Sequence, residues 1–200
     1  PEHPDVASTL TGLGLLRIDQ ARLDDAEPLL RRAVAIADRR LTTLDSRTIE
    51  AHAALGLLWQ ERADWPAAIA EQQAVLHQLV LRGDAPLDVA DAMVPLASSH
   101  FYAGELDRSD SLNRLARTTL RRLRGDNHPT VADALINLGA AEFERGRYAA
   151  AEGYYREALS RVEAWHGPEH PTTASALTML GRALTFQERR DEASTVLKRA

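Results

Sequence analysis

Along the first stretch of the chain the apolar side chains are spaced for a helix. Val6, Leu10 and Leu13 fall at i, i+4 and i+7, one stripe of an amphipathic helix. His3-Pro4-Asp5 just before it reads as a start signal. Proline fits the first helical turn, where its missing N–H costs nothing, and aspartate favours the positive end of the helix dipole. A turn is expected near Ala21, and Gly104 and Gly146 stand at the matching place further on. A second helix should then turn Ala26, Leu30, Ala33 and Val34 inward and end near Arg39-Arg40, cations suited to a helix C-terminus. Asp24 and Glu27 have the spacing of a capping box at its start.

The same two-helix pattern returns four times. Leu13-Gly14 is followed by Leu55-Gly56, Leu96-Ala97, Leu138-Gly139 and Leu180-Gly181, at spacings of 42, 41, 42 and 42 residues. Twelve residues beyond each small residue come Ala26, Ala68, Ser109, Ala151 and Ala193, and seven further on Ala33, Val75, Ala116, Ala158 and Ala200. Pro-Glu-His-Pro at residues 1–4 recurs at residues 168–171 in the same register. A regular period in this range marks a solenoid. Gly or Ala at a helix crossing lets two backbones approach closely, so each helix pair is built to nest against its own partner and its neighbour. No pair can bury its apolar stripe alone, and stability comes from stacking. The expected architecture is all-α, a single array over residues 1–200 with repeats starting near 3, 45, 86, 128 and 170, the last incomplete. The residues at both ends lead us to expect a native chain that extends further.

Composition agrees and narrows the function. The chain is 44% hydrophobic with only 5% aromatic residues, and Ala and Leu supply most of the apolar content, as in helical proteins. A net charge of −5 gives no reason to expect nucleic acid or an anionic membrane as partner. Cysteine is absent, which excludes disulfides, thiolate nucleophiles and thiolate-bound metal sites. No run approaches the roughly 18 apolar residues a membrane helix requires.

Leu138-Gly139, Phe143, Gly146, Tyr148, Ala151, Tyr155 and Ala158 resemble the tetratricopeptide repeat pattern. The longer period, the recurring His-Pro opening, and "AEPLLRRAVAI" and "AEGYYREALSR" in second helices are similar to the kinesin-light-chain subtype. The resemblance spans the chain. Repeats 2 and 3 depart from it, with Gln72 and Val75 in one and Ser109, Asn113 and Arg117 in the other. It implies a right-handed superhelical solenoid of five helix-turn-helix repeats whose first helices line a concave groove for a peptide or partner protein. It also implies a bacterial, cytoplasmic protein, since bacterial arrays of this kind resemble segments of larger signalling proteins, serine/threonine kinases among them.

Opposite the apolar stripe, the first helices present Ser8, Gly12, Leu15 and Asp19, then Glu50, Ala54, Leu57 and Glu61, then Asp91, Pro95, Ser98 and Tyr102. Repeats 4 and 5 continue with Asp133, Asn137, Ala140 and Glu144, then Ser175, Met179, Arg182 and Phe186. Six carboxylates and one cation share this surface. It reads either as an acidic trough for a basic or amphipathic partner, with Tyr102, Phe143 and Phe186 for aromatic contact, or as a solvated face whose first-turn acids answer the helix dipole. Asn137 matches the asparagine with which peptide-binding members of the family hold a ligand backbone; the other repeats carry Gly12, Ala54, Pro95 and Met179 there. The candidate partner-binding residues are therefore Asp19, Glu50, Glu61, Asp91, Tyr102, Asp133, Asn137, Glu144, Arg182 and Phe186. Pro95, inside a predicted helix, should bend it or cost about 3 kcal/mol, and makes repeat 3 the expected weak joint.

Catalytic chemistry finds no support in the residues. His3, His128 and His170 are repeat openers, and Gly167-Pro168 breaks any helical pairing of His166 with His170 for a metal. His52 stands in a column otherwise Leu or Met and reads as a satisfied buried histidine. Ser98-Ser99-His100 has nucleophile and base types that point apart on a helix. Arg121, Arg122 and Arg124 read as C-terminal helix cations without the aromatic platforms of a nucleic-acid groove. The expectation is a non-enzymatic interaction scaffold without cofactor or metal. Two alternatives stand beside it: a docking or regulatory arm of a multidomain signalling enzyme such as a kinase, and a self-associating module.

Overall fold

The computed structural model describes residues 2–125 and 128–200. Pro1, the first letter of the recurring tetrapeptide, lies outside the described residues. Among the described residues the chain is all-α, with α1 (Pro4–Asp19), α2 (Leu23–Arg40), α3 (Ser46–Glu61), α4 (Trp65–Arg82), α5 (Pro86–Tyr102), α6 (Leu106–Arg124), α7 (Pro129–Glu144), α8 (Tyr148–His166), α9 (Pro171–Phe186) and α10 (Arg190–Leu197). They form five helix-turn-helix repeats at the spacing of the small-residue register. The chain divides into two compact units, Pro1–Ala103 and Gly104–Ala200. The division falls inside repeat 3, leaving α5 in the first unit and α6 in the second.

The repeat-opening histidines have a physical role beyond marking a start. In His3, His128 and His170 the imidazole Nδ1 accepts the backbone N–H two residues on, at 3.3, 3.4 and 3.2 Å. Asp45 does the same for Arg47 at 3.0 Å. Each satisfies one of the N–H groups that a helix start leaves without an intrahelical partner. The turn between the two helices of a repeat requires one residue at positive φ. It falls at Ala21, Ala63, Gly104, Gly146 and Glu188, with φ of 56, 57, 82, 73 and 63°. Glycine meets that requirement freely, while the other three carry left-handed strain of about 1 kcal/mol each.

Close helix approach explains the small residues. Ala26, Ala68, Ser109 and Ala151 are fully buried, and Ala33, Ala116 and Ala158 equally so. A Cβ on Gly14 would meet Leu30 at 2.4 Å, one on Gly139 would meet Tyr155 at 2.6 Å, and one on Gly181 would meet Leu197 at 2.5 Å. In three repeats, then, a large side chain of the second helix closes directly over a glycine of the first. The core of the first unit joins successive repeats: Ile18, Ala26 and Leu30 of repeat 1 cluster with Ala54, Leu55, Leu58 and Ala68 of repeat 2.

Several expectations need correction. Asp24 and Glu27 form no capping box; the cap position of α2 is Arg22, which makes no side-chain cap, and both carboxylates instead bond Arg62 from the next repeat. Leu13 is 41% exposed where its counterparts Leu55, Leu96, Leu138 and Leu180 are buried. Leu55, by contrast, packs among the helices of repeats 1 and 2. Helix α10 ends at Leu197, so Ala200 lies exposed beyond it rather than within it. The expected weak joint is a different matter: helix α5 runs through Pro95 as one continuous helix, and the cost of the proline there is a matter for stability measurement. The polar residues of repeat 3 are packed: Ser109 and Asn113 are fully buried, and Asn113 Nδ2 donates to Ser109 Oγ at 3.3 Å.

Candidate partner-binding faces

Each unit presents the first-helix residues separately, and in each the face is built from helices fixed by the packing above. In the first unit α1, α3 and α5 carry Asp19, Glu50, Glu61, Asp91 and Tyr102. In the second, α7 and α9 carry Asp133, Asn137, Glu144, Arg182 and Phe186. Asp19, Glu50, Glu61, Tyr102, Glu144, Arg182 and Phe186 are exposed, and Asp91, Asp133 and Asn137 are half-buried. Ala54 alone of the residues named for these faces is buried.

Carboxylates at the joints between repeats and several acids of the first helices differ in how they are paired. Arginines engage the carboxylates of the second helices. Arg62 bonds Asp24 at 2.6 Å and also Glu27. Arg145 bonds both Asp107 and Asp110 at 2.8 Å, and Arg189 bonds Glu152 at 2.6 Å. Arg117 bonds Glu157 at 2.9 Å. By contrast, among the described residues Asp19, Glu50, Glu61 and Glu144 have no ion pair. These four first-helix carboxylates are exposed, while the carboxylates that Arg62, Arg145 and Arg189 reach across repeats are paired. Asp133 differs in kind: burial pushes its carboxyl up, with the His166 charge opposing that rise.

Aromatic rings sit beside the acids in both units. Tyr102 stacks on Trp65 with ring centroids 4.8 Å apart and meets the edge of Phe101 at 5.1 Å. In the second unit Phe143, Tyr148 and Phe186 form a mutual cluster at 5.0–5.2 Å, and the Arg182 guanidinium lies 5.1 Å over the Phe143 ring. That contact holds the one cation of the stripe against an aromatic surface. Trp65 and Tyr148, the first residues of α4 and α8, were absent from the expected set; their shared place in the repeat was the signal that could have found them. Asn137 Nδ2 donates to Asn113 Oδ1 at 3.3 Å, which ties α7 to α6 and fixes the amide's orientation.

The histidines resolve into separate roles. His52 is half-buried rather than buried, its ring held between Glu71 at 2.6 Å and Asp38 at 3.1 Å. The hydrogen bond that its ring N–H donates to Glu71 is the main reason its pKa is raised, with burial opposing and Asp38 adding to it. His166 and His170 stack at 4.1 Å although no helix contains both, because the turn at Gly167 folds one ring onto the other. Among the described residues no group of three acidic, histidine or cysteine side chains is placed to hold a metal ion. No described helix is long and apolar enough to cross a membrane.

Comparison with known proteins now places the chain. A tetratricopeptide repeat family profile matches residues 88–164 and 134–200, and a second profile of that repeat matches residues 6–41. The chain belongs to the tetratricopeptide repeat family. Similar solved structures include BtubC (BKLC) from P. vanneervenii, with 19% identity and a TM-score of 0.79 over 98% of this chain and 78% of that one. A kinesin light chain protein of Podosopora anserina with nearly identical TPR-like repeats gives 17% identity and a TM-score of 0.79 over 100% and 95% of the two chains. A Rap protein complexed with competence and sporulation factor gives 14% identity and a TM-score of 0.81, over 95% of this tetratricopeptide chain and 51% of the Rap chain. At such identities the likeness speaks to fold. No curated protein matches the sequence.

Proposed function

We propose that this chain is a protein-interaction scaffold whose first-helix faces dock a basic or amphipathic segment of another protein. The observation that carries the reading is the division of charge. Arginines neutralise the carboxylates that join repeats, while Asp19, Glu50, Glu61 and Glu144 stay exposed without an ion pair. Uncompensated acids on helical faces steer a cationic partner and set its register. The neighbouring rings, Tyr102 in one unit and Phe143, Tyr148 and Phe186 in the other, supply the apolar contact such a segment needs. The tetratricopeptide fold agrees, and a Rap protein of that fold is seen with competence and sporulation factor bound. The common register of the five repeats supports treating them as one array. A basic partner accords with the acids here, in contrast to an acidic one.

The test reverses two exposed charges that make no ion pair among the described residues. Glu61→Lys and Glu144→Lys together should weaken binding of an Arg-rich amphipathic peptide by at least tenfold at low salt and leave the melting temperature within about 1 °C. Equal binding by the reversed protein would remove the acidic faces from the account.

A further inference from the structure

The small-over-large register has one place where it is left open. Leu30 and Tyr155 press onto Gly14 and Gly139, but over Gly56 stands Gln72, whose Cγ would come only to 3.2 Å of an added Cβ. Beside it lies a cavity of about 300 Å³ between α3, α4 and α5, wholly within the first unit. Leu57 and Ala53 of α3, Val75 of α4, and Ala92 and Pro95 of α5 make its walls apolar. Leu57 and Pro95 belong to the first-helix stripe, so the cavity is part of the face already assigned to partners. A water's share of liquid is about 30 Å³. The space therefore exceeds a bridging water and lies at the small end of ligand cavities, about 300–1,000 Å³.

Its polar edge points to a ligand. Gln72 is 6% exposed, lines the cavity, and donates through Nε2 to Gln60 Oε1 at 3.0 Å. Its own Oε1 is buried and finds no hydrogen-bond partner. A buried acceptor left unmatched costs about 1–3 kcal/mol, and an incoming N–H would recover it. One turn beyond Leu57 on the same helix stands the exposed, unpaired Glu61, and Asp91 lines the cavity from α5.

We propose that this cavity is a socket for one large apolar side chain, Leu, Met, Phe or Trp, on a partner segment. The segment's main-chain N–H donates to Gln72 Oε1, and an adjacent Lys or Arg lies toward Glu61. The proposal rests on the reading of the first-helix face as the partner surface and specifies its anchor. Apolar walls select the side chain, the amide acceptor selects an extended backbone, and the acidic rim selects the flanking charge.

The test uses the whole chain and hexapeptides of sequence Gly-Arg-X-Gly-Arg-Gly, blocked at both ends, with X as Leu, Phe, Trp or Ala. Amide shifts in a ¹⁵N-labelled sample should follow Leu57, Gln60, Gln72, Val75 and Ala92 for the large residues, with affinity at least tenfold lower for Ala. N-methylation at X should weaken binding about tenfold in the native chain and change little in Gln72→Leu. That substitution restores the residue found at Leu30 and Leu197, so the fold should melt at the same or a higher temperature while affinity for the Leu peptide drops at least tenfold. Equal binding of the Leu and Ala peptides, or undiminished binding by Gln72→Leu, would overturn the socket. If those peptides still shift the first-helix acids and lose that effect with Glu61→Lys, the acidic face survives without its anchor. Absence of shifts on any first helix would contradict both.

Discussion

Gly56 and Gly139 hold the same place in repeats 2 and 4, and different residues close over them. Tyr155 fills the space above Gly139 and is 2% exposed, its phenol pushed up to about 12 by burial. Gln72 stands over Gly56, turns to Gln60, and leaves a cavity beside it. The joints between repeats diverge in the same way. Where repeat 4 meets repeat 3, Arg145 reaches back to Asp107 and Asp110. The corresponding residue of repeat 3 is Ala103, the corresponding acids in repeat 2 are Pro66 and Ile69, and the contact is the Trp65–Tyr102 stack. Repeat 4 is closed by volume and charge; repeat 2 is left open and apolar. The contrast teaches that a departure from the repeat pattern can open a cavity beside a helix crossing while the helices that line it stay continuous.

The sharpest way to break this contrast is truncation at the shared column. Tyr155→Ala removes a fully buried ring and should cost about 3–5 kcal/mol in chemical denaturation. Gln72→Ala should cost about 1 kcal/mol or less, because its place is already part cavity. Equal losses would mean that both repeats are closed alike.

The joints come next. Arg145→Ala leaves Asp110, 16% exposed at its side chain, without its cation and should cost about 1–2 kcal/mol. Tyr102→Ala removes one stacked ring and should cost about 0.5–1.5 kcal/mol. A larger loss at Tyr102 than at Arg145 would reverse the assignment of the firmer joint.

The smallest effect concerns pH. His52 gains two carboxylate partners on folding, so its folded pKa lies above its unfolded value. Its contribution is complete below the unfolded value of about 6.5 and is lost as pH rises through the folded one. The melting-temperature advantage of the native chain over His52→Gln should therefore be larger at about pH 5.5 than at about pH 8.5. An advantage that grew with pH would show that the ring is held neutral.

Much of this was legible in the residues, and what was not has a common cause. Helix pairs could be placed because the small columns, Ala26 through Ala193, are forced by backbone approach and recur with the period. The exposed acids could be placed because the opposite face of an amphipathic helix follows from its apolar stripe. Contacts between repeats escaped, since Arg62 with Asp24 and Arg145 with Asp107 lie 38 residues apart, outside any local rule. The columns did hold a clue: arginine at residues 62 and 145 faces acids at equivalent positions, and Ala103 breaks the series. The His166–His170 stack escaped for a related reason, because helical spacing says nothing about a turn that folds one ring onto another. Asn137 looked available for a ligand; its bond to Asn113 depends on a buried polar pair that a single repeat does not reveal.

The central claim is that partners meet this chain on its first helices. Mapping amide shifts across the whole labelled chain with an Arg-rich amphipathic peptide tests it most directly. Shifts should concentrate on α1, α3 and α5, and on α7 and α9, around Glu61, Tyr102, Glu144 and Phe186, and should fade as salt rises. Shifts confined to α2, α4, α6, α8 and α10 would contradict the claim.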